Sequence, residues 1–288
     1  MTRAWRCTGL SWGDGGPTLR WEGGRHSGLA RGRRVAFAVL AGSVRTCVGA
    51  RGHGCPMRAE VSGRSTGARC EECARLDRAH SVAADTVADD PRPYRVYLAW
   101  FGPGMVKVGI TAAERGPARL LEQGAVTFSW LGQGPLMAAR RTEELLRAAL
   151  GVPDRIPYAD KRAVRSALPS AGERAAELAE LHASAVGLAG WPESLERAPF
   201  QAVDHGAVFG LEGLLRADGV VSELVAGGVV SGDLLAVAGP DLHLATGRGV
   251  VVLDTRLMTG WELTGTAGGE LSVPVREMGE SGVQDGLF

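Results

Sequence analysis

The sequence predicts an α+β fold: β-rich N- and C-terminal segments, a cysteine-bearing loop, and a small central α/β module. Three observations point there. Short alternating runs around Gly-rich turns occupy both ends of the chain, and helix-periodic segments cluster between about residues 117 and 188. Between the N-terminal runs and the helices lies a stretch poor in apolar residues that holds four of the five cysteines.

In chain order, residues 1–45 read as an N-terminal β segment. Thr8–Trp12 and Thr18–Trp21 alternate about the Gly13–Gly16 turn as a hairpin does, and Arg34–Leu40 is a third strand candidate. Residues 46–83 form the cysteine loop, whose composition supplies no core of its own. After the acidic, Pro-containing linker 84–93 come strands Tyr94–Phe101 and Met105–Thr111, joined by Gly102-Pro-Gly104. Helix Pro117–Gln123, a strand near Val126–Leu131 and helix Leu136–Leu150 follow, completing a module over 94–165. Helices at Ala159–Leu168 and Ala171–Leu188 lead through a helical connection, 166–198, the second with Ser170 as N-cap. Residues 199–288 read as a Gly-rich β domain with strands at Val220–Val225, Leu234–Val237, Val250–Leu253 and Trp261–Leu263, against which the N-terminal strands are expected to pack; the chain after Glu277 is expected to fray.

Composition excludes some functions. Formal net charge is zero, so nothing pulls the whole molecule toward nucleic acid or a membrane, and a phosphate partner needs a local patch. Arginines concentrate in the first eighty residues, but only Lys107 and Lys161 are lysines and no asparagine occurs, so Arg-richness is discounted as compositional bias. No apolar run reaches the length of about 18 residues that a membrane span needs, and the N-terminus lacks a signal-peptide core, so a cytoplasmic location without membrane contact is expected.

Cys47, Cys55, Cys70 and Cys73 are spaced C-x7-C-x14-C-x2-C. The last pair has the knuckle spacing that brings two thiolates to one tetrahedral metal, and Cys55-Pro56 resembles half of a looser knuckle, so a structural zinc is expected. Two disulfides are the competing reading, disfavoured in a reducing compartment. Four thiolates close the coordination sphere without His53, which argues against catalytic zinc. Cys7 is read as a small buried residue. His80, His182, His205 and His243 show no ligand spacing, and Asp204-His205 lacks a neighbouring nucleophile motif.

In the central module, Arg95-Val-Tyr97 and Lys107-Val-Gly109 resemble the two signature tripeptides of the GIY-YIG nuclease superfamily. The resemblance implies a small α/β nuclease fold in which Tyr97 and Arg119 act at the scissile phosphate of DNA or RNA. It further implies that Glu143 holds a catalytic Mg2+ or Mn2+. The chemistry is coherent: a phenol relays a proton, a guanidinium offsets phosphoryl charge, and a carboxylate anchors the metal. Two positions depart from the pattern, Arg95 in place of glycine and Lys107 in place of tyrosine, the latter an additional cation at the site. Arg115 competes with Arg119, and Glu144 with Glu143. The plainer reading makes Tyr97 a strand aromatic, the arginines solvated, and Glu143 a helix partner of Arg140 or Arg147.

Cys47…Cys55-Pro56…Cys70…Cys73, Lys107–Thr111, Arg119 and Glu122-Gln-Gly-Ala125 together resemble the bacterial family known as domain of unknown function 2797. That resemblance brings no activity, and Gly124 is read as a helix C-cap. Three functions remain: a metal-dependent endonuclease, a nuclease-like module that binds nucleic acid without cutting it, and a protein scaffold acting through the C-terminal β domain.

Overall fold

The computed structural model describes residues 3–79 and 90–279. His80, the end of the cysteine loop at 80–83, the linker as far as 89 and the tail from 280 lie outside the described residues. Two compact units form, one from the chain up to Arg75 together with the chain from Gly213 on, the other from Leu76 to Glu212. The architecture is mixed α+β, and no described helix is long and apolar enough to cross a membrane.

The first unit begins with β1 (Trp5–Gly13) and β2 (Gly16–Trp21), a hairpin whose register closes at Gly13 opposite Gly16. β3 (Arg25–Gly28) pairs with β2 and is exposed at every residue, so no apolar alternation signals it in the sequence. β4 (Arg34–Val39) follows, and the cysteine loop ends in α1 (Glu71–Ala79), a helix that composition did not suggest.

The second unit opens with β5 (Tyr94–Trp100) and β6 (Val106–Ala112) in an unbroken antiparallel register that places Tyr97 opposite Gly109. Next come α2 (Ala118–Gln123), β7 (Thr127–Gly134), α3 (Leu136–Leu150), α4 (Tyr158–Val164) and α5 (Ala171–Val186). Gly124 ends α2 and Gly151 ends α3, both left-handed, the conformation in which glycine carries no Cβ penalty. Ser170 and Glu173 form a reciprocal capping box at the start of α5, a motif worth about 1 kcal/mol. The unit is completed by β8 (Glu196–Arg197), β9 (Val203–Asp204) and α6 (Gly206–Phe209).

β5 is central, flanked by β6 and β7, and all but one of its seven residues are buried. α3 packs on β5 and β6, while α5 packs on β5 and β7. Tyr97, Ala99, Phe101 and Phe128 meet Leu120 and Ala125 in one core, which fixes α2 against the sheet. Residues 199–212 belong here rather than with the C-terminal strands, because β9 pairs with β7 and His205 donates its backbone N–H to the Val126 carbonyl at 2.7 Å.

The chain then returns to the first unit with β10 (Gly219–Val221), β11 (Val229–Ala238), β12 (Asp241–Thr246), β13 (Gly249–Asp254), β14 (Glu262–Gly265) and β15 (Val275–Glu277). Strands from both chain ends share one ten-stranded path, β15-β10-β13-β12-β11-β4-β14-β1-β2-β3, with β4 bonded between β11 and β14. The missed strand β12 is buried at its first four residues, including Asp241 and His243, so its polar positions hid a core strand. Met278 is tied to Asp218 by a backbone hydrogen bond of 2.9 Å, just past the expected end of order at Glu277.

The cysteine loop is anchored to this sheet by two arginines. Arg45, 1% exposed, donates to the carbonyls of Ser62 and Ser65 in the loop and to those of Thr259 and Arg256 beyond β13. Arg6 on β1 donates to the carbonyls of Thr46 and Cys47 at 2.9 and 2.8 Å. Arg45→Met leaves those carbonyls without their charged donor and is expected to destabilise the protein by about 3 kcal/mol in urea unfolding. Arg45→Lys should recover less than half of that loss, since an ammonium cannot reproduce the guanidinium fork.

Candidate functional site

Two sites arise from the residues singled out in the sequence. In the first unit, Cys47, Cys55, Cys70 and Cys73 place their sulfurs within 4.8 Å of one another. Cys47 follows a bridge between Thr46 and Glu60, and its N–H donates to the Ala59 carbonyl at 2.8 Å. Cys70 directly precedes α1 and Cys73 lies in its first turn, so the helix converts the two-residue spacing into a shared focus. Gly49 sustains the turn at φ +85°, where a Cβ would lie 1.9 Å from the His53 carbonyl oxygen.

Four thiols this close can hold a metal ion such as zinc. A tetrahedral zinc with bonds of about 2.3 Å separates its sulfurs by about 3.8 Å, which the cluster accommodates. The N–H groups of Gly49 and Cys70 donate to the Cys47 sulfur, 3.4 and 3.2 Å away. Burial pushes Cys73 up to about 12, whereas the backbone N–H of Ala59 leads the interactions that bring Cys55 down to about 6. No described cysteine is in a disulfide, and Cys7 is buried with its thiol raised to about 11 by desolvation.

In the second unit, Tyr97, Lys107, Arg119 and Glu143 line one cleft of about 980 Å³, together with Gly109, Thr111, Arg115, Arg140, Arg141, Asp154 and Arg155. Each is placed by its element. Tyr97, 2% exposed, lies across Gly109, where an added Cβ would meet the phenol oxygen at 2.4 Å and its ring carbon Cζ at 2.6 Å. The phenol oxygen accepts a hydrogen bond from Gln123 Nε2 at 2.9 Å, and Tyr97 packs edge-on to Trp130. Burial raises its pKa, opposed by Gln123 and Arg119.

Lys107, two residues before Gly109 on β6, donates from Nζ to the Asp154 carbonyl oxygen at 3.2 Å and sits 5.9 Å from the Tyr97 ring centre. Burial first, then the Arg119 charge, brings the ammonium down to about 8, with Glu143 and Asp154 resisting. Glu143 on α3 is half-buried; desolvation raises its carboxyl while Lys107 lowers it.

The competing residues Arg115, Arg119, Glu143 and Glu144 all line this cleft and differ in their partners. Arg115 gives its Nη2 to both oxygens of Glu122 at 2.8 and 2.9 Å, whereas Arg119, 3.5 Å from the same carboxylate, also acts on Tyr97 and Lys107. Glu144 pairs with Arg147 at 3.3 Å, while the Glu143 carboxyl feels the Lys107 charge, which lowers it, and the Asp154 charge, which raises it. Asp154 and Arg155 were not picked out in the sequence; they follow Gly151 in a loop without periodicity, and only the fold brings them to Lys107. Two of the remaining histidines have backbone partners: His182 contacts the Trp130 carbonyl and His205 the Ala125 carbonyl. Asp204 pairs with Arg174 at 2.7 Å.

A mixed α+β protein with a four-cysteine cluster able to hold a metal and a charged cleft is the class that fold and sites define. Residues 32–263 match the model of the family described as "Protein of unknown function (DUF2797)". The chain belongs to that family. No curated protein and no solved structure matches it.

Two outcomes are expected. Elemental analysis should find one zinc per chain, lost in Cys70→Ser or Cys73→Ser but kept in Cys7→Ser, and stripping it should lower the melting temperature. Gly109→Ala should cost about 1–3 kcal/mol by overpacking against the phenol, and much less in a Tyr97→Leu background, as a double-mutant cycle by urea unfolding would measure.

Proposed function

We propose that the second unit is a divergent GIY-YIG-like endonuclease module hydrolysing phosphodiester bonds in DNA or RNA, and that the four cysteines hold a structural Zn2+. The observation that carries this reading is that Tyr97, Lys107, Arg119 and Glu143, widely separated in sequence, line a single cleft. The succession of hairpin, arginine helix, strand and glutamate helix supports it further.

The chemistry assigns each residue a role. Glu143 would hold the Mg2+ or Mn2+, whose chemistry when bound would be Lewis-acid charge at the phosphate. Arg119 and Tyr97 bind the non-bridging oxygens as negative charge builds on them. Lys107, titrating near pH 8, adds positive charge below that pH and is a proton acceptor above it. As water attacks phosphorus, the P–O bond to the leaving oxygen breaks, the water's proton passes to the neutral Lys107 amine, and the departing alkoxide takes a proton from solvent. Cleft arginines Arg115, Arg140, Arg141 and Arg155 offer backbone contacts independent of base sequence. Thiol ligands suit the reducing cytoplasm of a bacterium.

The test is cleavage of fluorescent DNA and RNA with added Mg2+ or Mn2+. Wild-type protein is expected to cut, with Glu143→Ala and Tyr97→Phe each slower by at least about a hundredfold. A folded, zinc-loaded wild type that binds nucleic acid with steep salt dependence but never cuts is a binding module instead, the reading that Lys107 in place of the signature tyrosine favours. Absence of any binding leaves the scaffold.

A further inference from the structure

Tyr97 has one proton to give and two lone pairs to receive with, so its neighbours decide what it offers a substrate. Gln123 Nε2 donates to the phenol oxygen at 2.9 Å. Arg119, one turn earlier on α2 and therefore on the same face, lines the same cleft, and its positive charge opposes the rise in the phenol's pKa. The amide thus gives a hydrogen to the phenol oxygen and leaves the phenol's own O–H to be donated.

Gln123 is held firmly in this role. It is 7% exposed, and its backbone carbonyl accepts the Lys161 ammonium at 3.2 Å. Lys161 is itself 4% exposed and lies over the rings of Phe101 and Tyr158, at 3.7 and 4.4 Å from their centres. The left-handed Gly124 then ends α2, and Ala125 is buried in the core beside Tyr97. Neither the backbone nor the amide has room to withdraw from the phenol.

We propose that Gln123 is a positioning residue that fixes Tyr97 as a hydrogen-bond donor, aimed at a phosphoryl oxygen of the substrate rather than poised to take a proton from the attacking water. This rests on the phosphodiesterase reading of the cleft and supplies the reason for the part Tyr97 plays in it: the phenol stabilises charge, and the proton of the water goes to the Lys107 amine.

Gln123→Glu reverses the polarity of the contact, because a carboxylate accepts the Tyr97 proton that the amide leaves free. Gln123→Met removes the donor at similar volume and guards against a folding defect in the charged variant. The chain has only three tyrosines, Tyr94, Tyr97 and Tyr158, so 13Cζ-tyrosine NMR resolves each ring. For Gln123→Glu the expected result is a downfield move of the Tyr97 resonance with the other two unmoved. Cleavage should lose about a hundredfold in kcat with KM within about threefold, and Gln123→Met should lose about tenfold. A Tyr97 resonance unchanged in Gln123→Glu, or kcat at the wild-type value in that variant, overturns the proposal. Should wild-type protein cut nothing, the phosphodiesterase reading fails by itself, and the resonance still decides whether Gln123 donates to Tyr97.

Discussion

A tyrosine ring laid across a glycine sets the shape of the second unit's cleft. Any side chain at Gly109 would meet the phenol of Tyr97 below van der Waals distance, so the strand pairing and the position of the phenol are one constraint. From it follows the rest of that site. Tyr97 in place gives α2 a surface for Leu120 and a partner for Gln123, and α2 in place brings Arg119 to the phenol. The half-buried setting that results then draws the Lys107 ammonium toward neutrality and raises the Glu143 carboxyl, the two perturbations expected where charged chemistry is prepared.

The first unit solves a different problem. A loop poor in apolar residues cannot repay its own ordering entropy, and here it is tied at two levels. The thiol cluster closes it from within, and the guanidinium groups of Arg45 and Arg6 bind its carbonyls to the sheet. Arg45 is brought down to about 10 chiefly by burial, which still leaves it charged near neutral pH and able to serve its carbonyls.

Much of this was legible from residue patterns. The helix at Leu136–Leu150 has the predicted bounds because its period and its terminal Gly151 agree, and the β5–β6 hairpin follows from two apolar runs around Gly102-Pro-Gly104. The four cysteines were readable because ligand spacing survives without knowledge of the fold. What failed to show has physical reasons. β3 is wholly exposed and carries no alternation; β12 buries an aspartate and a histidine; α1 is short and polar and leans on the cysteine cluster. In the cleft, Tyr97, Lys107, Arg119 and Glu143 were singled out through motif resemblance. Asp154 and the hydrogen bond from Gln123 depend on tertiary approach, which one-dimensional spacing does not encode.

We propose that a phosphodiester seats in this cleft against Tyr97 and Arg119 with a divalent cation on Glu143. A crystal structure of the protein with Mn2+ and a phosphorothioate-linked oligonucleotide tests it most directly, since anomalous scattering locates both manganese and sulfur. The account predicts manganese at the Glu143 carboxylate and a backbone phosphate within hydrogen-bond distance of the Tyr97 phenol. Manganese and nucleic acid bound away from these residues, with the cleft holding neither, would contradict it.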